Sequence, residues 1–411
     1  MKFVVAIVIV LLIEYYGYVA FRGIFSKTPA VQRIAIIFYI VLTLLLWIYF
    51  ISFRTLGIND VSRELKTVMA TLFISFSVAK LVAALFLFPE DIVRVVRWFL
   101  QKFQGPNASM GIQSGISRSD FLNKLALIAA AVPFGTLIYG SINNAYNYRF
   151  RKQNISFPNL PKSFEGFTII QLSDIHSGSF TRTHPIEEVI AKINALNPDL
   201  ILFTGDLVNN IADEMKDYKQ FFSRLRAKYG VMSVTGNHDY GDYIPWNSIE
   251  EKQDNFKRLL NTHKEMGWDI LMNEHRIIEK DGEKIAVLGI ENWGAKMHFP
   301  KYGKMELAYA GTENIPFKIL LSHDPSHWDV QVRPEYPDVD LMLSGHTHGF
   351  QFGIENKYIK WSPSQWAYKQ WAGLYQEGAQ YLYVNRGFGF LGYPGRVGIL
   401  PEITVIKLQR T

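Results

Sequence analysis

The stretch FTIIQLSDIH, from Phe167 to His176, begins as an apolar run and ends in Asp174-Ile-His176. Its apolar residues predict a buried strand over Phe167–Ser173. In an extended segment, residues i and i+2 point the same way, so Asp174 and His176 can reach one point together. Loops at the ends of rigid elements are where binding and catalytic residues concentrate. The stretch therefore indicates a ligand-bearing loop at a strand end.

Four further predicted strands end in polar runs of the same kind. The strands Asp199–Thr204, Val231–Thr235, Phe317–Ser322 and Val339–Ser344 precede Gly205-Asp206, Gly236-Asn-His-Asp239, His323-Asp324 and Gly345-His-Thr-His348, respectively. The candidate ligands within the five runs are two carboxylates, one amide and four imidazoles, a donor set that suits Mn²⁺, Fe or Zn²⁺ rather than Ca²⁺ or Cu⁺. Each run alone is a common turn, but five in this order indicate a metal centre. A strand over Lys284–Ile290 and helices over Pro185–Leu196 and Ile249–Met266 complete an α/β layered pattern.

The five runs resemble the calcineurin-like metallophosphoesterases, whose pattern is D-x-H, G-D, G-N-H-[DE], H and G-H-x-H. The resemblance extends from Ser163 to Leu408 and implies a two-sheet αββα sandwich. Asn385-Arg-Gly-Phe-Gly, Arg396 and Pro401-Glu-Ile also resemble the YkuE-type branch, whose members often carry N-terminal membrane or export segments. One departure is Gly349-Phe350-Gln351, where the branch usually has Gly-Gly-Gln.

The resemblance implies two divalent metal ions that share Asp206. The first ion would be bound by Asp174, His176, Asp206 and His348, and the second by Asp206, Asn237, His323 and His346. Two such ions acidify a water for attack on phosphorus, and His238 would stabilise or protonate the leaving oxygen. The remaining histidines have no motif partner and are expected to be structural or exposed: His184, His263, His275, His298 and His327.

The N-terminal part has the composition of a membrane domain. The first 88 residues carry only 11 charged side chains. Three apolar stretches have the ~20 residues that a membrane helix needs, and a fourth, interrupted by Pro133, is either a span or a buried or re-entrant helix. The stretches are Phe3–Phe21, Ile34–Phe53, Thr67–Phe88 and Leu125–Ile142. We therefore expect N-terminal transmembrane helices in residues 1–150 and the catalytic sandwich in residues 151–411.

Pro89–Phe103, between the third and fourth stretches, has a polar stripe at Arg94, Arg97 and Gln101. This pattern predicts an amphipathic helix that either lies at the membrane interface or presents a polar stripe on a core helix.

Glu14 and Lys80 are the lone charges within the first and third apolar stretches. Each lies about two-thirds of the way along its stretch, and alternating spans make these two parallel, so both charges have nearly the same depth. An intramembrane ion pair is one hypothesis; the alternative is a snorkelling Lys80 and a protonated Glu14.

The orientation in the membrane is not decided by the basic flanks, which divide seven against eight. Ser117-Arg-Ser-Asp-Phe-Leu-Asn-Lys124 resembles the twin-arginine export signal S-R-R-x-F-L-K, with Ser119 in place of the second arginine. This resemblance favours an exocytoplasmic catalytic domain.

The segment Lys357–Tyr375 holds six aromatic residues interleaved with lysines. Such a segment either contacts a bilayer or lipid-linked substrate or packs as a loop over the sandwich.

Composition excludes several function classes. The chain has 411 residues and no cysteine, so disulfides, thiolate metal sites and cysteine nucleophiles are excluded. The net charge of +6 is explained by basic membrane flanks rather than by nucleic-acid binding. We expect a membrane-anchored phosphoesterase acting on a lipid-linked or envelope phosphoester, with the UDP-2,3-diacylglucosamine pyrophosphate bond of lipid A synthesis as one possibility. The alternative is a catalytically inactive membrane sensor or binding protein on the same fold.

Overall fold

The computed structural model describes residues 2–23, 28–55, 61–104, 118–296 and 299–411. Ser117, which opens the export-signal resemblance, and His298 lie outside these ranges. The chain forms two compact units, Met1–Ile142 and Asn143–Thr411.

The first unit consists of long apolar helices. Within the described residues there are four that are long and apolar enough to cross a membrane, as the composition predicts. They are α1 (Lys2–Arg22), α2 (Pro29–Thr55), α3 (Arg63–Gln104) and α4 (Arg118–Tyr139). Small residues allow close helix approach, and buried alanines of α3 and α4, Ala83, Ala84, Ala126 and Ala130, belong to one core cluster.

Helix α3 continues through Pro89 to Gln104. The expected amphipathic helix over Pro89–Phe103 is therefore the end of a longer helix and not a separate element. Proline removes one backbone hydrogen bond and bends a helix without necessarily ending it. Arg94 bonds to Glu90 one turn earlier at 2.7 Å, so side-chain pairing continues beyond the proline.

Glu14 and Lys80 form the ion pair that their depths suggest. The Lys80 Nζ atom lies 2.7 Å from Glu14 Oε2. The other carboxylate oxygen of Glu14 accepts a 2.9 Å hydrogen bond from the Trp47 indole, and Lys80 also donates to Thr43 at 3.2 Å. A side-chain carbon at Gly17 would approach Lys80 Cγ to 2.6 Å. The pair therefore joins α1, α2 and α3 at a point where only glycine fits.

We expect Glu14→Gln and Lys80→Met each to destabilise the detergent-extracted protein, because each leaves a partner charge unpaired at a cost of about 2.5–3.5 kcal/mol on insertion scales. The double variant should cost less than the sum of the two. The measurement is the unfolding midpoint of all four proteins in a double-mutant cycle. Strictly additive losses would show that the pair contributes no coupling energy.

The second unit is an α/β domain built on two six-stranded sheets and one two-stranded sheet within the described residues. The first sheet has the order β1-β14-β2-β3-β4-β5, the second β12-β13-β9-β8-β7-β6, and β10 pairs with β11. The strands are β1 (Arg149–Phe157), β2 (Thr168–Leu172), β3 (Leu200–Phe203), β4 (Val231–Ser233), β5 (Trp268–Ile270), β6 (Glu274–Lys280), β7 (Glu283–Gly289), β8 (Lys318–Leu321), β9 (Leu341–Ser344), β10 (Ile354–Glu355), β11 (Lys360–Trp361), β12 (Gly373–Glu377), β13 (Gln380–Val384) and β14 (Glu402–Arg410). The helices are α5 (His184–Asn194), α6 (Lys219–Phe222), α7 (Ile249–Glu265), α8 (Met305–Tyr309) and α9 (Arg333–Glu335).

Alternating side chains of the central strands divide between two cores, as period-2 geometry requires. In β3, Leu200 and Leu202 lie in the cluster between the sheets, whereas Ile201 and Phe203 pack with residues of α5 and α7. The second sheet packs its outer face with α8 and Trp328. These layers form the expected αββα sandwich, and each predicted strand or helix of this domain matches an observed one to within two residues.

Candidate metal centre

Five strand ends place the polar runs at one site. Strands β2, β3 and β4 are parallel neighbours in the first sheet, and β8 and β9 are parallel neighbours in the second. Parallel neighbours end at the same sheet edge, so each sheet gathers its own loops. Hydrogen bonds join the sheets there. The His346 backbone N–H donates to the Asp174 carboxylate at 3.0 Å, and the His323 ring bonds to the Thr204 carbonyl at 2.8 Å.

Asp174, His176 and His348 form a first buried group whose ligand atoms all lie within 4.8 Å of one another. The Nε2 atoms of both histidines are buried and make no hydrogen bond. The other ring nitrogen of His176, Nδ1, lies 3.1 Å from the Asn209 side-chain oxygen. Since that oxygen can only accept, Nδ1 carries the proton and Nε2 presents a lone pair. The buried Nε2 lone pair of His176 therefore fits a metal ligand. In His348, Nδ1 accepts from the Arg396 guanidinium at 3.3 Å, and Nε2 faces Asp174 Oδ1 at 3.3 Å.

Asp206, His323 and His346 form a second group, again with ligand atoms within 4.8 Å. The side-chain oxygen of Asn237 lies 3.1 Å from His323 Nε2 and 2.8 Å from His346 Nδ1. The opposite nitrogen of His323 faces the Thr204 carbonyl, and that of His346 lies 2.8 Å from the Tyr368 hydroxyl. With those outer nitrogens as donors, neutral His323 and His346 rings would turn their inner nitrogen lone pairs toward a bound cation.

Asp206 lies between the two groups. One carboxylate oxygen is 3.1 Å from His323 Nε2 of the second group and 3.5 Å from His176 Nε2 of the first. The other accepts the backbone N–H of His238 at 2.8 Å.

The electrostatics of the site favour positive charge at its centre. Although burial favours the neutral acids, the neighbouring His348 and His323 imidazoles lower the pKa values of Asp174 and Asp206, respectively. Burial alone would lower the pKa of His323, but the carboxylates of Asp206 and Asp174 raise it to about 10. Burial lowers the pKa values of His176 and His346, which keeps these imidazoles neutral. The carboxylates are therefore ionised, as metal ligands must be, and a bound cation would replace the proton that the raised pKa leaves on His323.

The backbone is left-handed at five of the seven expected ligands: Asp174, His176, Asp206, His346 and His348. Non-glycine residues adopt this conformation infrequently, and such strain concentrates at functional sites. Close backbone approach adds a second constraint, because a side-chain carbon at Gly345 would lie 2.1 Å from Asp174 Oδ2. Strand-end turns of this kind need a surrounding structure that holds them.

Asp239 supplies much of that support. Its buried carboxylate accepts the backbone N–H groups of Asp206 at 2.9 Å, Leu207 at 2.8 Å and Gly236 at 2.8 Å. It therefore joins the loops after β3 and β4. The sequence gives a signal for this residue, since Asp239 closes the G-N-H-D run, but sequence reasoning assigned it no role. Asn209 and Tyr368, which orient His176 and His346, follow from the structure alone.

His238 lies beside the two groups and belongs to neither. Its Nδ1 atom donates to the Asn209 carbonyl at 2.8 Å, and its half-buried ring lies 5.0 Å from that of His176 and 4.5 Å from that of Tyr243. Asn237 and His238 occupy a short helical turn and not an extended segment, so the turn is what directs their side chains to different places.

The described histidines outside the motifs do not join either metal-binding group. His327 is buried against Ser322 and Gln331, and His263 bonds to Ser233. His275 bonds to the Ala308 carbonyl, while His184 is exposed beside Glu188.

Comparison with known proteins gives the same division of the chain. Residues 1–145 match the family model described as the probable transmembrane domain of calcineurin-like phosphoesterases, and residues 167–350 match the calcineurin-like phosphoesterase model. The chain therefore belongs to the calcineurin-like metallophosphoesterases, which are metal-dependent phosphoric ester hydrolases, and it is a membrane protein of that family.

Three relatives illustrate the range of similarity. The uncharacterized metallophosphoesterase YkuE of Bacillus subtilis is 31% identical over 68% of this chain and 95% of its own length. A transmembrane protein with metallophosphoesterase domain from Danio rerio is 30% identical over 74% of this chain, which spans 66% of that protein. The UDP-2,3-diacylglucosamine pyrophosphatase LpxG of Chlamydia trachomatis is 28% identical over 56% of this chain and 81% of its own length.

We expect Asp206→Asn to lower metal content and phosphoesterase turnover together, because Asp206 lies between both groups. Turnover should fall by at least ~10²-fold, since even outer-shell changes commonly cost 10–100-fold. Elemental analysis and an activity assay on the same preparation measure the two effects. Asp213→Asn is the matched control, because that carboxylate is 69% exposed. Two retained metals with near-normal turnover in Asp206→Asn would disprove the shared-ligand assignment.

Proposed function

We propose that the chain is a membrane-anchored dinuclear-metal phosphoesterase. One ion would be held by Asp174, His176, Asp206 and His348, and the other by Asp206, Asn237, His323 and His346. The observation that carries the proposal is the convergence of two groups of buried carboxylate and imidazole side chains, each with ligand atoms within 4.8 Å of one another, and an unpaired, buried His176 Nε2 atom in the first group.

The donor set selects among metals. Nitrogen and oxygen ligands in this proportion suit manganese, iron or zinc. Two such ions, when bound, supply Lewis-acid stabilisation of phosphoryl oxygens and lower the pKa of a water. Asp239, Asn209 and Tyr368 keep the ligands in place, so the site is organised before substrate arrives.

His238 is the residue proposed to act on the leaving group. Its Nδ1 proton is held by the Asn209 carbonyl, which leaves Nε2 as the nitrogen that exchanges a proton. In the imidazolium form, Nε2 can donate to a departing alkoxide oxygen, and its neutral form is regenerated by loss of that proton.

A lipid-linked or envelope phosphoester is the proposed substrate class. Four helices with the composition of membrane spans support a substrate at or near a bilayer, and the named activity of the Chlamydia relative is on a lipid-linked pyrophosphate. A UDP-diacylglucosamine-type substrate requires a cytoplasmic site. The export-signal resemblance supports an exocytoplasmic domain, where a phospholipid or other envelope phosphoester is the corresponding candidate.

The test of the function is hydrolysis of bis-p-nitrophenyl phosphate by the full chain in detergent. With added Mn²⁺ we expect turnover that a chelator abolishes and restored Mn²⁺ recovers, because the reaction depends on the bound ions. Metal binding with no turnover of this ester would favour the inactive sensor or binding protein.

We expect His238→Ala to retain both metals, because the His238 Nδ1 atom bonds to the Asn209 carbonyl and the ring belongs to neither metal-binding group. Esters with poor alkoxide leaving groups should slow by ~10²–10⁴-fold, the usual contribution of a general acid, whereas p-nitrophenyl esters should change little. The ratio of the two rates is the measurement, and His184→Ala, an exposed histidine, is the control. Loss of metal from His238→Ala would make this residue a ligand and exclude the acid role.

A further inference from the structure

The segment that follows His348 carries a concentrated set of exposed apolar side chains. We call these six residues the apolar rim: Phe350, Phe352, Ile354, Tyr358, Ile359 and Trp366. Tyr358 is 80% and Trp366 76% exposed. The other exposed large apolar side chains described in residues 143–411 are scattered along the chain: Leu196, Tyr243, Ile249, Ile277, Leu307 and Val330. Single exposed apolar residues are ordinary, but a cluster indicates an interaction surface.

The apolar rim rests on a fixed framework. The Trp361 ring lies 6.3 Å from that of Phe352 and 6.1 Å from that of Trp366, both edge-on. The Ser362 hydroxyl donates to the Gly349 carbonyl at 2.7 Å. The aromatic segment, expected either to contact lipid or to pack as a loop, divides in the structure: Tyr368 and Trp371 are buried, and Tyr358 and Trp366 are exposed.

Phe350 is held in a conformation that its type disfavours. Its φ angle is +57°, in the left-handed region where a bulky residue is a genuine outlier. Its ring is 64% exposed, so packing within the domain does little to offset the strain. Glycine would adopt this conformation without strain, so Phe350 adds exposed apolar surface at a cost in backbone strain.

The charges around the apolar rim identify its partner. Lys357 and Lys369 are exposed, and the Lys357 ammonium lies 4.5 Å from the centre of the Tyr358 ring. Lys369 lies 3.8 Å from Glu377, and Lys360 donates to the Ala372 carbonyl at 2.6 Å. Within residues 350–369 the acidic side chain is Glu355, which is paired with Arg386 and Arg151. Aromatic residues flanked by lysines complement the interface of an anionic bilayer. In a dimer formed through the apolar rim, by contrast, the lysines of the two copies would repel each other.

We propose that the apolar rim inserts into the interfacial layer of an anionic membrane. The same chain has four helices with the composition of membrane spans, so the protein is always attached to a bilayer. The rim begins two residues after His348, and the same segment supplies Tyr368 to His346. Docking therefore holds the metal-binding loops beside lipid headgroups. The contact does not depend on turnover, so it can be tested apart from the proposed phosphoesterase activity.

The test uses the full chain in vesicles. Because the chain has no cysteine, Trp366→Cys and Tyr358→Cys each provide a unique site for a nitrobenzoxadiazole label. In phosphatidylcholine–phosphatidylglycerol vesicles we expect a blue-shifted emission that acyl-chain nitroxide lipids quench, and weaker quenching in phosphatidylcholine alone. Ile249→Cys is the control, because Ile249 is also an exposed apolar residue, and its label should stay water-like.

Water-like emission at positions 358 and 366 in both vesicle types would overturn the proposal. A blue shift that nitroxide lipids do not quench, and that grows with protein density, would also overturn it and indicate a second copy as the partner. Equal quenching in both vesicle types would overturn the role given to the lysines.

Phe350→Gly provides a second arm. We expect this variant to raise the thermal unfolding midpoint, because the left-handed strain is removed, and to reduce quenching of the label at position 366. A raised midpoint with unchanged quenching would exclude Phe350 from the membrane contact.

Discussion

The burial of two carboxylates, Asp174 and Asp206, is the constraint on which the catalytic domain depends. Both are almost completely inaccessible, and a buried charge is unfavourable unless it is paired and hydrogen-bonded. Backbone N–H groups of His346 and His238 bond to them, and imidazoles from both sheets surround them. The residues that neutralise these charges are the ones that would bind metal, so the stability of the loops and the chemistry of the site have one origin.

The same constraint explains why the site needs two sheets. Each sheet gathers only the loops at its own edge, and the buried charge is balanced when His323 and His346 of the second sheet meet Asp206 and Asp174 of the first. Left-handed turns at the strand ends bring these side chains together, and Asp239 fixes two of the turns. A strained backbone of this kind persists where the surrounding structure over-determines it.

In the membrane unit, buried charges are also neutralised, but by fewer side chains. Lys80 and Glu14 neutralise each other among apolar helices, and each makes one further hydrogen bond, to Thr43 and Trp47, respectively. In the function proposed above, the membrane spans and the metal centre belong to one enzyme that works at a lipid surface. Insertion of the apolar rim would bring the catalytic domain, as well as the spans, into contact with lipid, since the rim has aromatic and basic side chains beside the metal-binding loops.

The sequence by itself determined the parts that depend on local pattern. Apolar length predicted the spans, and short apolar runs predicted the central strands. The polar runs after those strands predicted Asp174, His176, Asp206, Asn237, His323, His346 and His348 as one set of ligands. Pairing between distant segments was decided by the tertiary structure alone. β1 and β14 are parallel partners 253 residues apart at Arg149 and Glu402, Tyr368 reaches His346, and one aromatic segment divides between core and surface. Local periodicity carries no information on such contacts, because they form only when packing of the sandwich brings the segments together.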